Sequence, residues 1–244
     1  MTSFRNKSAG LNGRVLIYIL ARLTACALGF AIGQAANAHP VVFDGGTAVM
    51  GHQQGGMTEV EVIHSPRWWY GLGISSERMA SSTKLLGKAT VLVWRGNFPD
   101  FQSNFYLGLA AGKKWNSSSE SHQTAPGHRS SQQESSVWLS QWNAEWDGED
   151  REFYGRIHHS QTFEQDNSRS DHSKVRIGYA PYKATASEPA LWGMLEWTMH
   201  STENFSKTEH NVTPLMRFFY RNALFEIGSS LSGQFMFNFM FHFL

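Results

Sequence analysis

From residue 43 onward, apolar and polar residues alternate with a period of two. The clearest run is the last one, Phe235-Met236-Phe237-Asn238-Phe239-Met240-Phe241-His242-Phe243. Its Phe residues all fall at odd positions, and Met236, Asn238, Met240 and His242 fall at even ones. A helix would scatter these Phe around its circumference, whereas a strand places them on one face. Other segments repeat the pattern. Trp138, Trp142 and Trp146 oppose Gln141, Asn143 and Glu145. Phe153 and Ile157 oppose Glu152, Arg156 and His158. Val175, Ile177 and Tyr179 oppose Lys174 and Arg176. Leu191, Leu195 and Trp197 oppose Glu196, Thr198 and His200.

The alternation predicts about twelve strands, within two, over 43–53, 56–65, 68–78, 84–95, 101–112, 136–147, 150–162, 172–182, 189–201, 209–219, 223–230 and 234–244. Most are near the ~9–11 residues that a tilted strand needs to cross a bilayer. A soluble β-sandwich would alternate too. Three features favour a membrane barrel. The apolar faces are rich in aromatics, as at membrane interfaces. The polar faces carry charges of both signs (Glu59, Glu61, Glu77, Lys88, Glu145, Arg156, Arg176, Glu196, Arg217, Glu226) together with His200, as a wet lumen requires. The chain also ends on an aromatic strand with no polar tail. In hydrocarbon every backbone N–H and C=O must be paired and an open edge is intolerable. The expected fold is therefore an all-β, closed antiparallel transmembrane β-barrel over 39–244.

With the N-terminus in the periplasm, connections 79–83, 113–135, 163–171 and 202–208 face outside. They are longer than most of those on the opposite rim, which is the outer-membrane pattern. Pro66, Pro99, Pro126 and Pro189 fall in turns, loops or strand starts, and Pro181 at a strand end, as a missing N–H demands. Pro214 falls inside the tenth strand, which predicts a later start or a bulge.

The first 38 residues read as a secretory signal peptide. Arg5, Lys7 and Arg14 form a basic start, 15–33 is mostly apolar, and Ala36-Asn37-Ala38 is a small-x-small cleavage site. An uncleaved anchor would place Arg22 near mid-membrane at a cost of about 2.5 kcal/mol or more. Leu23-Thr24-Ala25-Cys26 resembles a lipoprotein lipobox, but the apolar stretch continues beyond Cys26. Cleavage removes four basic residues and no acidic one, taking the formal charge from +1 to −3. The product would be exported through the periplasm to the bacterial outer membrane.

Composition then makes sense. Charged residues are 17% and aromatics 14% of 244, against about 25% charged in an ordinary soluble domain, yet mean hydropathy is −0.37. An apolar and a polar face cancel in any window average. Few charges and many aromatics exclude disorder. Lys+Arg of 21 against Asp+Glu of 20 leaves no footprint for nucleic acid. The single Cys excludes a disulfide framework or a multi-Cys zinc site.

The Phe-x-Phe-x-Phe terminus resembles the C-terminal assembly signal of Gram-negative outer-membrane β-barrels, with Leu244 following the last Phe. That resemblance implies two partners, outer-membrane lipid and the barrel-assembly machinery. More loosely, His39-Pro40, Gly45-Gly46, 176–182 and 212–217 resemble a group of short barrels associated with heavy-metal or copper genes, which gives no residue roles to carry over.

Three chemistries compete for the lumen. The leading expectation is a narrow pore or binding barrel for a small polar solute or metal ion. Met50 and His52 share a face of the first strand, and Met236, Met240 and His242 share the inner face of the last. Closure brings those strands together, and thioether and imidazole ligands suit copper. His39, as a new N-terminus, could chelate Cu(II) through its amine and Nδ1. The bland alternative is that Met fills gaps and His forms hydrogen bonds, so no cofactor is required. A closed structural or adhesive barrel displaying 113–135 is the second reading. The third, a lipid-modifying enzyme, rests on His158 and Ser160, which resemble the His-x-Ser of outer-membrane lipid A deacylases. There Glu164 would act as orienter and Gln161 stands where those enzymes carry Asn. The leading expectation is not an enzyme.

Overall fold

The structure, a computed structural model, describes residues 41–116, 136–185, 188–202 and 205–243. The stretch read as a signal peptide, His39, most of the 113–135 segment and Leu244 lie outside them. Twelve strands form: β1 (Thr47–Gln54), β2 (Met57–Arg67), β3 (Tyr70–Arg78), β4 (Ser82–Asn97), β5 (Gln102–Asn116), β6 (Ser136–Glu149), β7 (Phe153–Glu164), β8 (Arg169–Tyr179), β9 (Ala190–Thr202), β10 (Phe205–Tyr220), β11 (Ala223–Ser229) and β12 (Phe235–Phe243). Each pairs antiparallel with its chain neighbours, and β1 closes on β12 into one barrel.

The alternation decides which face is outside. Ile74 and Leu109 are 62% and 68% exposed, and Val60, Leu72, Ile157, Ile177 and Ile227 share their outward face. So continuous an apolar wall is a liability in water but is what hydrocarbon solvates. Trp68, Trp69, Phe98, Phe101 and Tyr179 lie near the rim that carries the termini, and Trp138 and Phe163 near the opposite rim. These are the aromatic girdles of a membrane barrel.

At the closing seam Met50 pairs with Met240, Gly51 with Phe239 and His52 with Asn238. A Cβ on Gly51 would lie 2.2 Å from the Phe239 ring. Only a glycine lets that ring lie flat over the seam.

Several expectations are corrected. The first strand starts at Thr47, not 43. Gly45 (φ +76°) turns the chain, and the Val42 N–H donates to Ser65 Oγ at 2.9 Å. Val41 then folds into the mouth against Leu92 and Tyr106. Pro66 belongs to β2, at an irregularity between His64 and Arg67. Pro214 needs neither a late start nor a bulge. It pairs in register with Leu195, and the ladder to β11 begins only at Leu215, so its missing N–H interrupts nothing. The irregularity of β10 lies instead between Phe205 and Thr208.

The outer connections are also shorter than expected. β7 runs to Glu164, β8 starts at Arg169, β9 reaches Thr202 and β10 starts at Phe205. Polar residues there extend the ladder past the apolar band, because backbone pairing does not depend on which solvent surrounds it. The connection from β8 to β9, ten residues long, is on the rim of the termini.

Candidate functional site

The registers place Glu59, Glu61, Glu77, Lys88, Glu145, Arg156, Arg176, Glu196, His200, Arg217 and Glu226 on the luminal face. Their partners run around the ladder without changing side: Glu59 opposite Glu77, Arg156 opposite Arg176, Arg176 opposite Glu196, Arg217 opposite Glu226. In β4 a register shift between Leu92 and Trp94 resets the parity.

Across β8–β11 most of the luminal charges are buried. Arg176 reaches from β8 to β11, where Nη1 donates to Glu226 Oε1 and Oε2 at 2.7 and 3.0 Å. Its Nε donates to Glu196 Oε2 at 2.9 Å, and its Nη2 bonds the same oxygen. Glu226 also accepts from Arg217 Nε and Asn238 Nδ2, each at 2.7 Å. Lys174 lies 3.6 Å from Glu196. Tyr154, Met194, Leu215 and Met236 pack into one buried cluster beside Trp192, and Arg217 sits over the Tyr154 ring at 4.4 Å. Buried charges are tolerable only when paired.

Across β2–β7 the ion pairs keep more contact with solvent. Lys84 pairs with Glu77 at 2.9 Å, Lys88 with Glu61 at 2.8 Å and Glu59 at 3.9 Å, Lys114 with Glu164 at 2.8 Å, and Arg156 with Glu145 at 2.5 Å. All of these side chains but Glu145 keep 13–29% exposure. In the Arg176 network Glu196 and Glu226 keep 0% and 3%. Beside these pairs Leu86, Ala110 and Leu139 pack into a small buried cluster of their own.

The sequence reading missed Lys84 and Lys114, although each has luminal parity; Lys174 it placed on the polar face of its strand without a partner. It also missed a run of imidazoles. His158, His172 and His200 lie on β7, β8 and β9 with ring centroids 6.4 and 6.3 Å apart. Parity was the available signal, but only register sets their relative height.

The six-residue metal set is divided. Met236 belongs to the buried apolar cluster. His52 Nδ1 is hydrogen-bonded to Asn238. His242 Nε2 meets Met240 Sδ at 3.0 Å, and Met50 pairs with Met240. Among the described residues no three His, Cys, Asp or Glu are grouped as a metal site.

The hydrolase set is divided too. His158 Nδ1 faces Glu145 at 3.1 Å, Ser160 pairs with Asn143 and His172, and Glu164 holds Lys114. The His–Ser contact that forms is His159 Nδ1 to Ser173 Oγ, 2.9 Å, on the outer wall.

No family model matches the chain, and no curated protein matches it. Among solved structures, the KdgM porin in complex with disordered oligogalacturonate is similar, at 11% identity and TM-score 0.46, covering 82% of this chain and 98% of that one. The beta domain of the Bordetella autotransporter BrkA is 8% identical with TM-score 0.43, covering 81% and 97%. A loop-deletion variant of OmpT, an outer membrane protein of Vibrio cholerae, is 7% identical with TM-score 0.35, covering 81% and 98%. These likenesses lend the heavy-metal association no support. The apolar wall, polar lumen and all-antiparallel closure make this chain a barrel of the outer-membrane type.

Proposed function

We propose that this protein is a narrow outer-membrane pore that passes small polar solutes along one wall of its lumen. The observation that carries the reading is the asymmetry of the luminal charges. The Arg176–Glu226 tie crosses from β8 to β11 and, with its apolar neighbours, fills one side. Across from it the ion pairs of β2–β7 keep water-accessible surface. Twelve strands lie between the ~8 that side chains can fill and the ~16 that leave a wide channel, so a partial plug with a residual lane is physically reasonable. Acids and bases alternate along that lane, which favours small dipolar solutes over strongly charged ones.

The test is single-channel recording in planar bilayers. Wild type is expected to give small, discrete conductance steps. Arg176→Ala is expected to give larger ones, because Glu226 keeps Arg217 and Glu196 keeps Lys174 while the tie is gone. If both match bare lipid, the pore reading is wrong.

A further inference from the structure

The outer wall across β4–β8 departs from the rest of the apolar band. Register partners form an outward row, Gly87–Ala111–Ser140–Phe163–Arg169. The next row toward the termini is Ala89–Leu109–Trp142–Gln161–Asp171. Small residues make the floor, and Leu109, Trp142 and Phe163 make the walls, of a groove of about 610 Å³.

One end of the groove is polar. Trp142 Nε1 donates to Gln161 Oε1 at 3.2 Å, Gln161 Nε2 donates to Asp171 Oδ1 at 2.6 Å, and Arg169 Nη2 reaches Asp171 at 3.3 Å. Polar groups facing hydrocarbon are costly unless satisfied. Here Gln161 and Asp171 satisfy each other. Arg169 remains 46% exposed at its side chain. Toward the same rim, Lys113 lies over the Trp138 ring at 4.7 Å, on the outward face that Trp138 shares.

We propose that this groove binds one phosphorylated glycolipid of the outer leaflet, with an acyl chain on the small-residue floor and two phosphates at Lys113 and Arg169. The groove lies toward the rim opposite the termini, hence in the outer leaflet. Lys113 is on β5, two residues beyond Ala111, and Arg169 is on β8 in the Ala111 row; three inter-strand steps and that offset set them about 16 Å apart. One phosphodiester head spans less than that, whereas a disaccharide phosphorylated at both ends matches it. The inference is independent of whether the lumen conducts.

Native mass spectrometry of the full chain folded in detergent micelles tests it. The probes are bisphosphorylated lipid A, its monophosphorylated form and phosphatidylglycerol. Wild type is expected to retain bisphosphorylated lipid A about tenfold or more tightly than either of the others. Lys113→Gln/Arg169→Gln is expected to lose that margin, and Ala111→Phe, which fills the floor, to lose binding with both cations intact. Heat-modifiable gel migration checks folding, and the charge variant decides alone if the bulky one misfolds. Equal retention of the three lipids by wild type overturns the proposal. So does wild-type retention by the folded charge variant.

Discussion

Glu226→Gln is the sharpest perturbation of the lumen. The Glu226 carboxylate neutralises two guanidinium groups, Arg176 and Arg217, whose side chains are 4% and 7% exposed. Gln keeps the shape but removes the charge and turns an amide N–H₂ toward a donor. Arg176 still has Glu196, whereas the described ion pairs of Arg217 hold no second carboxylate. Removing one partner of a buried pair costs about 3–5 kcal/mol, because the other charge stays buried. The comparison is Glu164→Gln, whose partner Lys114 is 23% exposed, where solvent screening reduces the loss to under about 1 kcal/mol. Urea unfolding of the barrel in micelles, followed by the fluorescence of its nine Trp, measures both. Arg217→Met added to Glu226→Gln is expected to recover about half of the loss, since it removes the orphaned cation. A Glu226→Gln variant no less stable than Glu164→Gln would refute the idea that this network is buried from solvent.

Two further outcomes follow from the structure. Gly51→Val forces a branched side chain into the Phe239 ring across the closing seam, so a loss of about 1–3 kcal/mol and incomplete refolding by gel migration are expected; wild-type refolding would show that the ring has somewhere to go. In the β7–β8 turn the Ser168 N–H donates to Asp166 Oδ1 at 3.0 Å, and hydrogen bonding to Ser168 holds the Asp166 carboxyl below its ordinary 3.8. Because the folded-state value is depressed, this contact is at full strength above 3.8 and is lost as pH falls below it. The Ser168 amide resonance should shift in that window in wild type and stay flat in Asp166→Asn.

Much of the barrel was legible because period two is a strong local signal. The Phe235–Phe243 run fixed its own faces, and parity alone put Glu145, Arg156, Arg176 and Glu226 inside. Boundaries were less legible. β10 continues through Glu209 and His210 into residues that read as loop, since hydrogen bonding between strands carries no hydropathy signature. Pro214 looked like a misfit because a sequence does not tell where the neighbouring strand stops pairing. The outer-wall contact of His159 with Ser173 was hidden behind the more familiar His158 and Ser160, which face the other way.

The sequence by itself determined the two faces of every strand. Successive side chains on a pleated backbone point to opposite sides whatever the strand pairs with. Tertiary structure decided everything that depends on two strands at once. Arg176 and Glu226 are fifty positions apart and three strands apart around the wall, and only closure and register set them at one height. The same closure buries the Arg176 network while leaving the ion pairs of β2–β7 partly exposed, seats Phe239 over Gly51, and brings Lys113 and Arg169 onto one stretch of outer wall. Such relations belong to the stagger of all twelve strands, and no single strand's alternation contains them.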